Sequence, residues 1–296
     1  MDDPCVSRGR DTHRDLPLPL PNEGLRYWND SCHRRADAGC RVRVLAIIPA
    51  RRGATRLRDK PLRLLGGEPL IVRVWERVSA LNVADSVVVA TDDRDVFAAI
   101  EAAGGSAVLT RTDHPSGTDR VAEVAARREF AGADVLLNVQ GDEPFVDESA
   151  VRGALALVIS GGAPIGTAAV MATREALAAP DCVKVVCDDQ GRALYFSRAP
   201  IPYLRDAADA AVRDRLVRQH LGIYAYTRDA LQRWVALPVH PLEQVERLEQ
   251  LRPLAAGLVI GVAAADPVAI GGIDTEADLV RANAHWSSNY AVRSTA

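Results

Sequence analysis

Residues 42–60 read VRVLAIIPARRGATRLRDK, a short apolar run followed by a loop rich in arginine. The apolar run, Val42 to Ile48, has the length and the branched side chains of a strand that is buried on both faces of a parallel sheet. The loop, Pro49 to Lys60, follows this strand at the end where open α/β sheets bind their ligands. This stretch therefore predicts both a fold class and the place of a binding site.

Strand-like and helix-like patterns alternate along the first half of the chain. We expect strands at 42–48, 86–90, 107–109 and 135–139, with helices at 70–78, 96–103 and 118–128. Such alternation is typical of a mostly parallel, doubly wound sheet. The pattern predicts an α/β fold.

The second half of the chain is more mixed. We expect strands at 165–171, 183–187, 193–196, 222–226 and 258–263, a hairpin turn at 188–191, and a closing helix at 275–284. Apolar residues at 242, 245, 248 and 251 predict one helix over 242–251. These elements predict a smaller mixed α/β region beside the main sheet.

The composition excludes several partners. The 296 residues carry 36 basic and 39 acidic side chains, a net charge of −3, so we expect no nucleic-acid partner. We also expect no membrane partner, because the uncharged run from Gly153 to Thr173 is broken by glycine and proline and no signal peptide is evident. The five cysteines include no C-x-x-C pair, which favours a cytoplasmic protein without disulfides.

Residues 1–41 have neither a strand-like nor a helical repeat. We expect a disordered extension or a misplaced start site here, with a partner-binding tail as the further alternative. Cys32, His33 and Cys40 are residue types that ligate zinc, but nothing else in the segment indicates structure. The predicted domain then covers 42–286, and residues 287–296 form a tail.

The loop after the first strand lacks both the G-x-G-x-x-G and the P-loop patterns. It instead concentrates five cations, Arg51, Arg52, Arg56, Arg58 and Lys60. Guanidinium and ammonium groups in this arrangement suit a polyphosphate. The alternative is a solvated loop in a chain whose 36 basic residues include only two lysines.

Two aspartates are candidate metal ligands. Asp142 follows the fourth strand, in VQGDEP at 139–144, and faces the same sheet edge as the cationic loop. It could bind Mg²⁺, or could simply form a turn. Asp274, in GGIDT at 271–275, could cap the last helix or reach the same cation.

Short motifs occur in a fixed order along the chain: IIPAR (47–51), TRL (55–57), KPL (60–62), ATD (90–92), DHPSGT (113–118), NVQGDEP (138–144), VKVV (183–186), YFSR (195–198), HLGIY (220–224), PLEQ (241–244), LEQLR (248–252) and GIDT (272–275). Each motif alone is weak, but the ordered set is specific. Over residues 42–286 the chain resembles the 3-deoxy-manno-octulosonate (KDO) cytidylyltransferase family, the CMP-KDO synthetases.

The resemblance implies a nucleotide-diphospho-sugar transferase fold whose mixed region helps to form a homodimer. It implies the reaction of CTP with KDO, an acidic 3-deoxy sugar, to give CMP-KDO and diphosphate, with Mg²⁺ as cofactor. Asp142 and Asp274 would bind the metal, and Lys60, Arg56 and Asp142 would be catalytic. The CTP-binding residues would be Arg51, Arg56, Lys60, Ser116 and Gly117. The sugar-binding residues would be Gln140, Arg198, His220, Tyr224, Glu243 and Gln244.

The chain departs from the family pattern in the cationic loop. Ala54 stands where the family usually has serine, and Arg58-Asp59 replaces a Pro-Gly pair. The charge of Asp59 would weaken CTP binding, or the side chain would point outward.

The sequence leaves three other functions to compare with this one. A cytidylyltransferase for another acidic sugar or natural-product acid is the near alternative. A catalytically silent homologue is disfavoured because Asp142 and Asp274 are both present. A DNA-binding or scaffold protein is disfavoured by the balanced charge.

Overall fold

A computed structural model describes residues 41–53, 56–267 and 271–289. The predictions for residues 1–40, including the cysteines and histidine of the possible zinc site, and for Ala54 fall outside these residues. The described strands are β1 Val44–Ala50, β2 Leu64–Leu65, β3 Glu68–Pro69, β4 Ser86–Thr91, β5 Ser106–Leu109, β6 Val135–Asn138, β7 Ile165–Met171, β8 Lys184–Cys187, β9 Ala193–Ser197, β10 Arg218–Thr227 and β11 Ile260–Ala264. The described α-helices are α1 Leu70–Ala80, α2 Arg94–Ala102, α3 Gly117–Ala125, α4 Glu148–Ile159, α5 Arg174–Ala178, α6 Ala210–Leu216, α7 Arg228–Ala236, α8 Pro241–Glu246, α9 Leu251–Ala255 and α10 Glu276–Asn289.

One large sheet dominates the described part of the chain. Its main path has the order β11-β7-β10-β6-β1-β4-β5. The pairs β6–β1, β1–β4, β4–β5 and β11–β7 are parallel, whereas β10 lies antiparallel between β6 and β7. The β8–β9 hairpin pairs with β10 and forms the mixed region. The α/β, mostly parallel architecture predicted from the sequence is confirmed.

Helices cover both faces of the sheet, as a doubly wound fold requires. All seven residues of β1 are buried. Ala46 and Ile48 belong to one apolar cluster, with α1, α4 and α10, and Leu45 and Ile47 belong to a second, with α3 and α7. Successive strand residues point to opposite faces, so this division follows directly from the alternation along β1.

The single helix predicted over 242–251 is wrong. The structure has two short helices, α8 and α9, and Arg247 ends α8 in the left-handed conformation with φ of 54°. Leu242 and Val245, the first two positions of the apolar pattern, are exposed. His240 and Glu243 form a capping box that fixes the start of α8. Tertiary contacts of Glu243 and Glu246 therefore override the helical spacing.

Strand β10 is longer than predicted and irregular at one point. Its pairing with β7 shifts between His220 and Tyr224. Gly222 lies inside this irregularity with φ of +48°, a conformation that glycine adopts without steric cost. The bulge therefore changes the direction of the strand where it passes the end of β6.

The closing helix also runs further than predicted, since α10 continues to Asn289. None of the described helices combines the length and the apolar character needed to cross a membrane.

Candidate active site

A cavity of about 300 Å³ lies at the carboxyl edge of the parallel strands. The loops after β1, β5 and β6 line it, together with Asp274, which precedes α10. Parallel pairing brings the ends of β1 and β6 to the same edge, as the sequence predicts. The lining residues are Pro49, Ala50, Arg51, Arg56, Lys60, Pro61, His114, Pro115, Ser116, Gly117, Arg120, Gln140, Gly141, Asp142 and Asp274.

Lys60 joins the two predicted metal ligands. Its Nζ lies 2.5 Å from Asp142 Oδ2 and 2.7 Å from Asp274 Oδ1. Burial lowers the pKa of Lys60, but the two carboxylates outweigh this effect, so the pKa is raised and the ammonium stays charged. Arg56 adds a second contact to Asp274, at 3.0 Å. Two carboxylates 132 residues apart in sequence thus converge on one cation.

The chemistry of this donor set fits a magnesium ion. Mg²⁺ is commonly held by one or two carboxylates and completes its shell with water and substrate phosphates. Asp142 and Asp274 supply two carboxylate oxygens that already face one point. No group of three or more His, Cys, Asp or Glu side chains gathers at a metal-binding distance within the described ranges. The remaining ligands would therefore come from water and from a nucleotide.

Glu143 follows Asp142 in the chain and has a raised pKa. Burial, and then the negative charge of Asp142, raise the pKa of Glu143 to about 8, against the opposing effect of Lys60. The Glu143 side chain lies so close to Gly272 that a Cβ there would come 2.7 Å from Glu143 Oε1. Glu143 thus ties the loop after β6 to the segment that carries Asp274.

The cations of the loop after β1 divide into two groups. Arg51 and Arg56 line the cavity beside Lys60. Arg52 instead donates to Asp59 at 2.6 Å and to Asp95 at 2.5 Å. Asp59 is absent from the cavity lining.

Ser116 and Gly117, the predicted cytidine residues, begin α3. Ser116 is the N-cap, and its Oγ accepts a hydrogen bond from Asp119 N. Both residues line the same cavity as the aspartate pair. Glu249 reaches the same loop from the segment between α8 and α9, with Oε1 at 2.8 Å from Ser116 Oγ.

The predicted sugar residues are spread over several elements. Gln140 lines the cavity. His220 lies on β10, where its Nε2 donates to Thr167 Oγ1 at 2.9 Å, because the Thr167 hydroxyl proton is used by Ile223 O at 2.6 Å. Burial lowers the pKa of His220 to about 3, so the ring is neutral. Tyr224 is buried against the His220 ring.

Arg198, Glu243 and Gln244 do not line the cavity. The Arg198 guanidinium donates to three backbone carbonyls, including Glu246 O at 2.9 Å. Glu243 forms a two-point ion pair with Arg252, at 2.7 and 2.8 Å, and Gln244 is exposed on α8. The structure thus gathers the predicted phosphate, metal and cytidine residues with Gln140. The other five predicted sugar residues lie outside the cavity lining, since His220 and Tyr224 on β10 do not line it either.

Sequence reasoning missed four polar residues around the site. His114 and Arg120 line the cavity, where His114 Nε2 lies 2.5 Å from Glu123 and Arg120 donates to Asp92 at 2.9 Å. Glu143 and Glu249 do not line the cavity, but they contact Gly272 and Ser116 beside it. His114, Glu143 and Glu249 lie within quoted motifs, so the motifs marked their positions without giving their roles.

Comparisons with known proteins identify the family of the chain. A family model described as Cytidylyltransferase matches residues 45–260. A curated 3-deoxy-manno-octulosonate cytidylyltransferase from Gemmatimonas aurantiaca is 65% identical over 253 residues, 86% of this chain and 98% of that protein. One of the same name from Herminiimonas arsenicoxydans is 48% identical, over 81% of this chain and 98% of that protein.

Solved structures extend the comparison to the fold. A structure of CMP:2-keto-3-deoxy-manno-octonic acid synthetase complexed with CTP superposes with a TM-score of 0.76 at 40% identity, covering 83% of this chain and 99% of that one. A 4-diphosphocytidyl-2C-methyl-D-erythritol synthase from Anaerococcus prevotii shares the fold at 16% identity and a TM-score of 0.55, over 83% of this chain and 99% of that one. The extent of identity confirms the family that the ordered motifs predict. The chain belongs to the 3-deoxy-manno-octulosonate cytidylyltransferase family.

Proposed function

We propose that the protein transfers CMP from CTP to the anomeric hydroxyl of KDO, giving CMP-KDO and diphosphate. The observation that carries this proposal is the 65% identity to a curated enzyme of that name, over nearly its whole length. The cationic cavity beside an aspartate pair is what the reaction requires.

In this reaction the anomeric oxygen of the sugar forms a bond to the α-phosphorus of CTP. The bond between the α-phosphorus and the bridging oxygen breaks, diphosphate leaves, and the hydroxyl proton passes to solvent. Arg51, Arg56 and Lys60 supply positive charge where the leaving group accumulates negative charge. Guanidinium groups suit this task because they bind phosphate oxygens at two points.

Asp142 and Asp274 would hold Mg²⁺. When bound, the ion neutralises charge on the α-phosphate and lowers the pKa of the attacking hydroxyl. Lys60 keeps the two carboxylates together before substrate arrives. With the metal held by Asp142 and Asp274, the Lys60 ammonium would bind a phosphate oxygen.

Ser116 and Gly117 would contact cytidine. Gln140, which lies between Gly117 and Gly222 of β10, would contact the sugar. His220 and Tyr224 on β10 would complete the sugar site with Arg198, Glu243 and Gln244. Arg198 and Glu243 have to exchange their present partners for the sugar, or act through the segment that they hold.

The protein is further proposed to act as a homodimer in the cytoplasm. Large apolar side chains are exposed in and near the mixed region, among them Leu194, Tyr203, Val212 and Leu216. An exposed apolar surface of this kind supports association with a second copy. Cys182 and Cys187 are free thiols, which suits a reducing compartment.

The test is diphosphate release by purified protein with CTP and Mg²⁺, comparing KDO, N-acetylneuraminate and no sugar. We expect release with KDO alone. Release only with N-acetylneuraminate would show a cytidylyltransferase for a different acidic sugar. Failure with both sugars, together with no CTP binding by calorimetry, would contradict the proposed function.

A further inference from the structure

Glu249 is a half-buried glutamate that the proposed mechanism does not use. Its Oε1 lies 2.8 Å from Ser116 Oγ, and its Oε2 lies 3.2 Å from Thr118 Oγ1. Ser116 and Thr118 flank Gly117 at the start of α3, and Glu249 stands 133 residues beyond Ser116 in the chain. A side chain from the segment between α8 and α9 therefore holds both residues that flank Gly117 in the α3 loop, residues 116–118.

The hydrogen bonds at Ser116 determine where a proton must lie. A hydroxyl donates one hydrogen bond and accepts two. Ser116 Oγ accepts from Asp119 N, and it faces two carboxyl groups, Asp119 Oδ2 at 2.6 Å and Glu249 Oε1 at 2.8 Å. The single hydroxyl proton serves only one of them. The other contact is a hydrogen bond only if that carboxyl group carries its own proton and donates it.

Of the two carboxyl groups, Glu249 is the one whose surroundings favour the protonated form. Burial raises the pKa of Glu249, against the lowering effects of Ser116 and Arg252. Asp119 lies in the first turn of α3, where the helix dipole favours a negative charge. With the proton on Glu249, Ser116 donates to Asp119 and accepts from Glu249.

The other charged and titratable groups around Glu249 leave this assignment intact. Arg252 on α9 directs its guanidinium to Glu243 at 2.7 and 2.8 Å. Tyr224 and Tyr226 on β10 are neutral, because burial raises the pKa of each phenol. Asp119 on α3 is the one of these groups that would repel an ionised Glu249.

We propose that Glu249 is a positioning residue for CTP, and that it works as a neutral acid that donates to Ser116 and accepts from Thr118. The inference rests on the proposed function, since it assigns the α3 loop to the nucleotide. Its consequence is that the segment carrying Glu243 and Gln244 also sets the shape of the CTP site. The two substrate sites are then joined through one side chain.

The test is CTP affinity measured by calorimetry without sugar. Glu249→Leu removes both hydrogen bonds, and we expect its Kd for CTP to rise about tenfold. Glu249→Gln keeps both, because the amide donates to Ser116 and accepts from Thr118, so its Kd should stay within about twofold of wild type. The double variant, Ser116→Ala with Glu249→Leu, should have a Kd for CTP no higher than that of the weaker-binding single variant, as expected for two residues in one hydrogen-bond network.

Glu246→Leu is the matched control. Glu246 lies on the same segment and accepts from a serine hydroxyl, Ser197 Oγ at 2.6 Å, but it does not contact the α3 loop. Its Kd for CTP should stay within about twofold of wild type. An equal loss in Glu246→Leu and Glu249→Leu would overturn the inference, because general packing of the segment would then explain both.

The pH dependence of the Kd for CTP distinguishes a protonated Glu249 from an ionised one. As pH rises, ionised Glu249 can no longer donate to Ser116 and adds a charge beside Asp119, so wild-type affinity should fall relative to Glu249→Gln. The titration of CTP itself affects both proteins equally, so it cancels in the ratio of their Kd values. A constant ratio, or Glu249→Gln binding as weakly as Glu249→Leu, would overturn the inference. Wild-type protein that does not bind CTP would contradict the proposed function itself.

Discussion

Asp142 lies where the end of β6 meets the cationic loop, half-buried and held by Lys60. Replacing it by asparagine removes a metal-ligating charge but keeps the shape of the side chain. We expect Asp142→Asn to lower kcat by at least about a hundredfold with little change in melting temperature. Diphosphate release and thermal unfolding measure the two effects. Asp229→Asn, on an exposed side chain of α7, is the control, and wild-type turnover in Asp142→Asn would contradict the metal assignment.

Asp59 tests whether a departure from the family pattern affects substrate binding. The carboxylate lies 2.6 Å from the Arg52 guanidinium and outside the cavity lining. Arg52 and the nearby Arg58 draw the pKa of Asp59 below its usual value, with the Arg52 hydrogen bond as the main cause. We expect Asp59→Gly to leave the KM for CTP within about twofold, since the charge is already paired. A KM about tenfold lower would show that Asp59 repels the triphosphate.

Single residues of the site differ in how far the sequence predicts them. Lys60, Asp142 and Asp274 could be predicted because strand ends of a parallel sheet meet at one edge, and the motifs named the residues there. The role of Glu249 could not, because it depends on a contact with Ser116 across 133 residues. Arg198 shows the converse: the motif assigns it to the sugar, whereas its guanidinium contacts backbone carbonyls.

Helix α4 packs against strand β7 at a distance that only glycine permits. A Cβ at Gly166 would come 2.2 Å from Ala154 O, which belongs to the helix backbone and cannot move alone. We expect Gly166→Ala to lower the free energy of unfolding by about 1–3 kcal/mol. Urea denaturation measures this. Gly162→Ala, in the turn between the same two elements, meets nothing closer than 3.4 Å and should change stability far less.

Elements with a strong local pattern were predicted well, and those decided by distant contacts were not. The apolar run of β1 identifies a buried strand without knowledge of its partners. The antiparallel placement of β10 between β6 and β7 has no local signal, since a strand carries the same alternation in either direction. The prediction of one helix over 242–251 is wrong because Arg247 adopts the left-handed conformation, which ends the helix. Glu243 pairs with Arg252 and Glu246 with Ser197, and the sequence pattern shows neither contact.

The stability of the whole molecule should depend on pH through His220. Its pKa is about 3 in the folded protein and about 6.5 in an unfolded chain, so the unfolded state binds more protons between these values. Stability is therefore lost as pH falls below about 6.5. Between pH 7 and pH 5 this group accounts for about 2 kcal/mol, which His220→Gln should remove. Urea denaturation of both proteins at the two pH values checks this, and equal losses would contradict it.

Residues 1–40 are predicted to contribute nothing to catalysis. The described core begins at Val44, and every residue lining the cavity lies between Pro49 and Asp274. The relative from Gemmatimonas aurantiaca aligns over 98% of its length with 253 residues of this chain. We expect deletion of residues 1–40 to leave kcat/KM for CTP within about twofold of the full chain. A large loss would show that this segment supports the fold or the site.

The position of β10 has a consequence for synthesis on the ribosome. Strands β5, β4, β1 and β6 can pair as soon as residues 44–138 have emerged, but β7 joins them only through β10. Until residues 218–227 are made, the nascent sheet carries an open edge along β6. A chain that stalls before β10 would therefore expose unpaired backbone groups to its neighbours, which makes that interval the one most in need of chaperone protection.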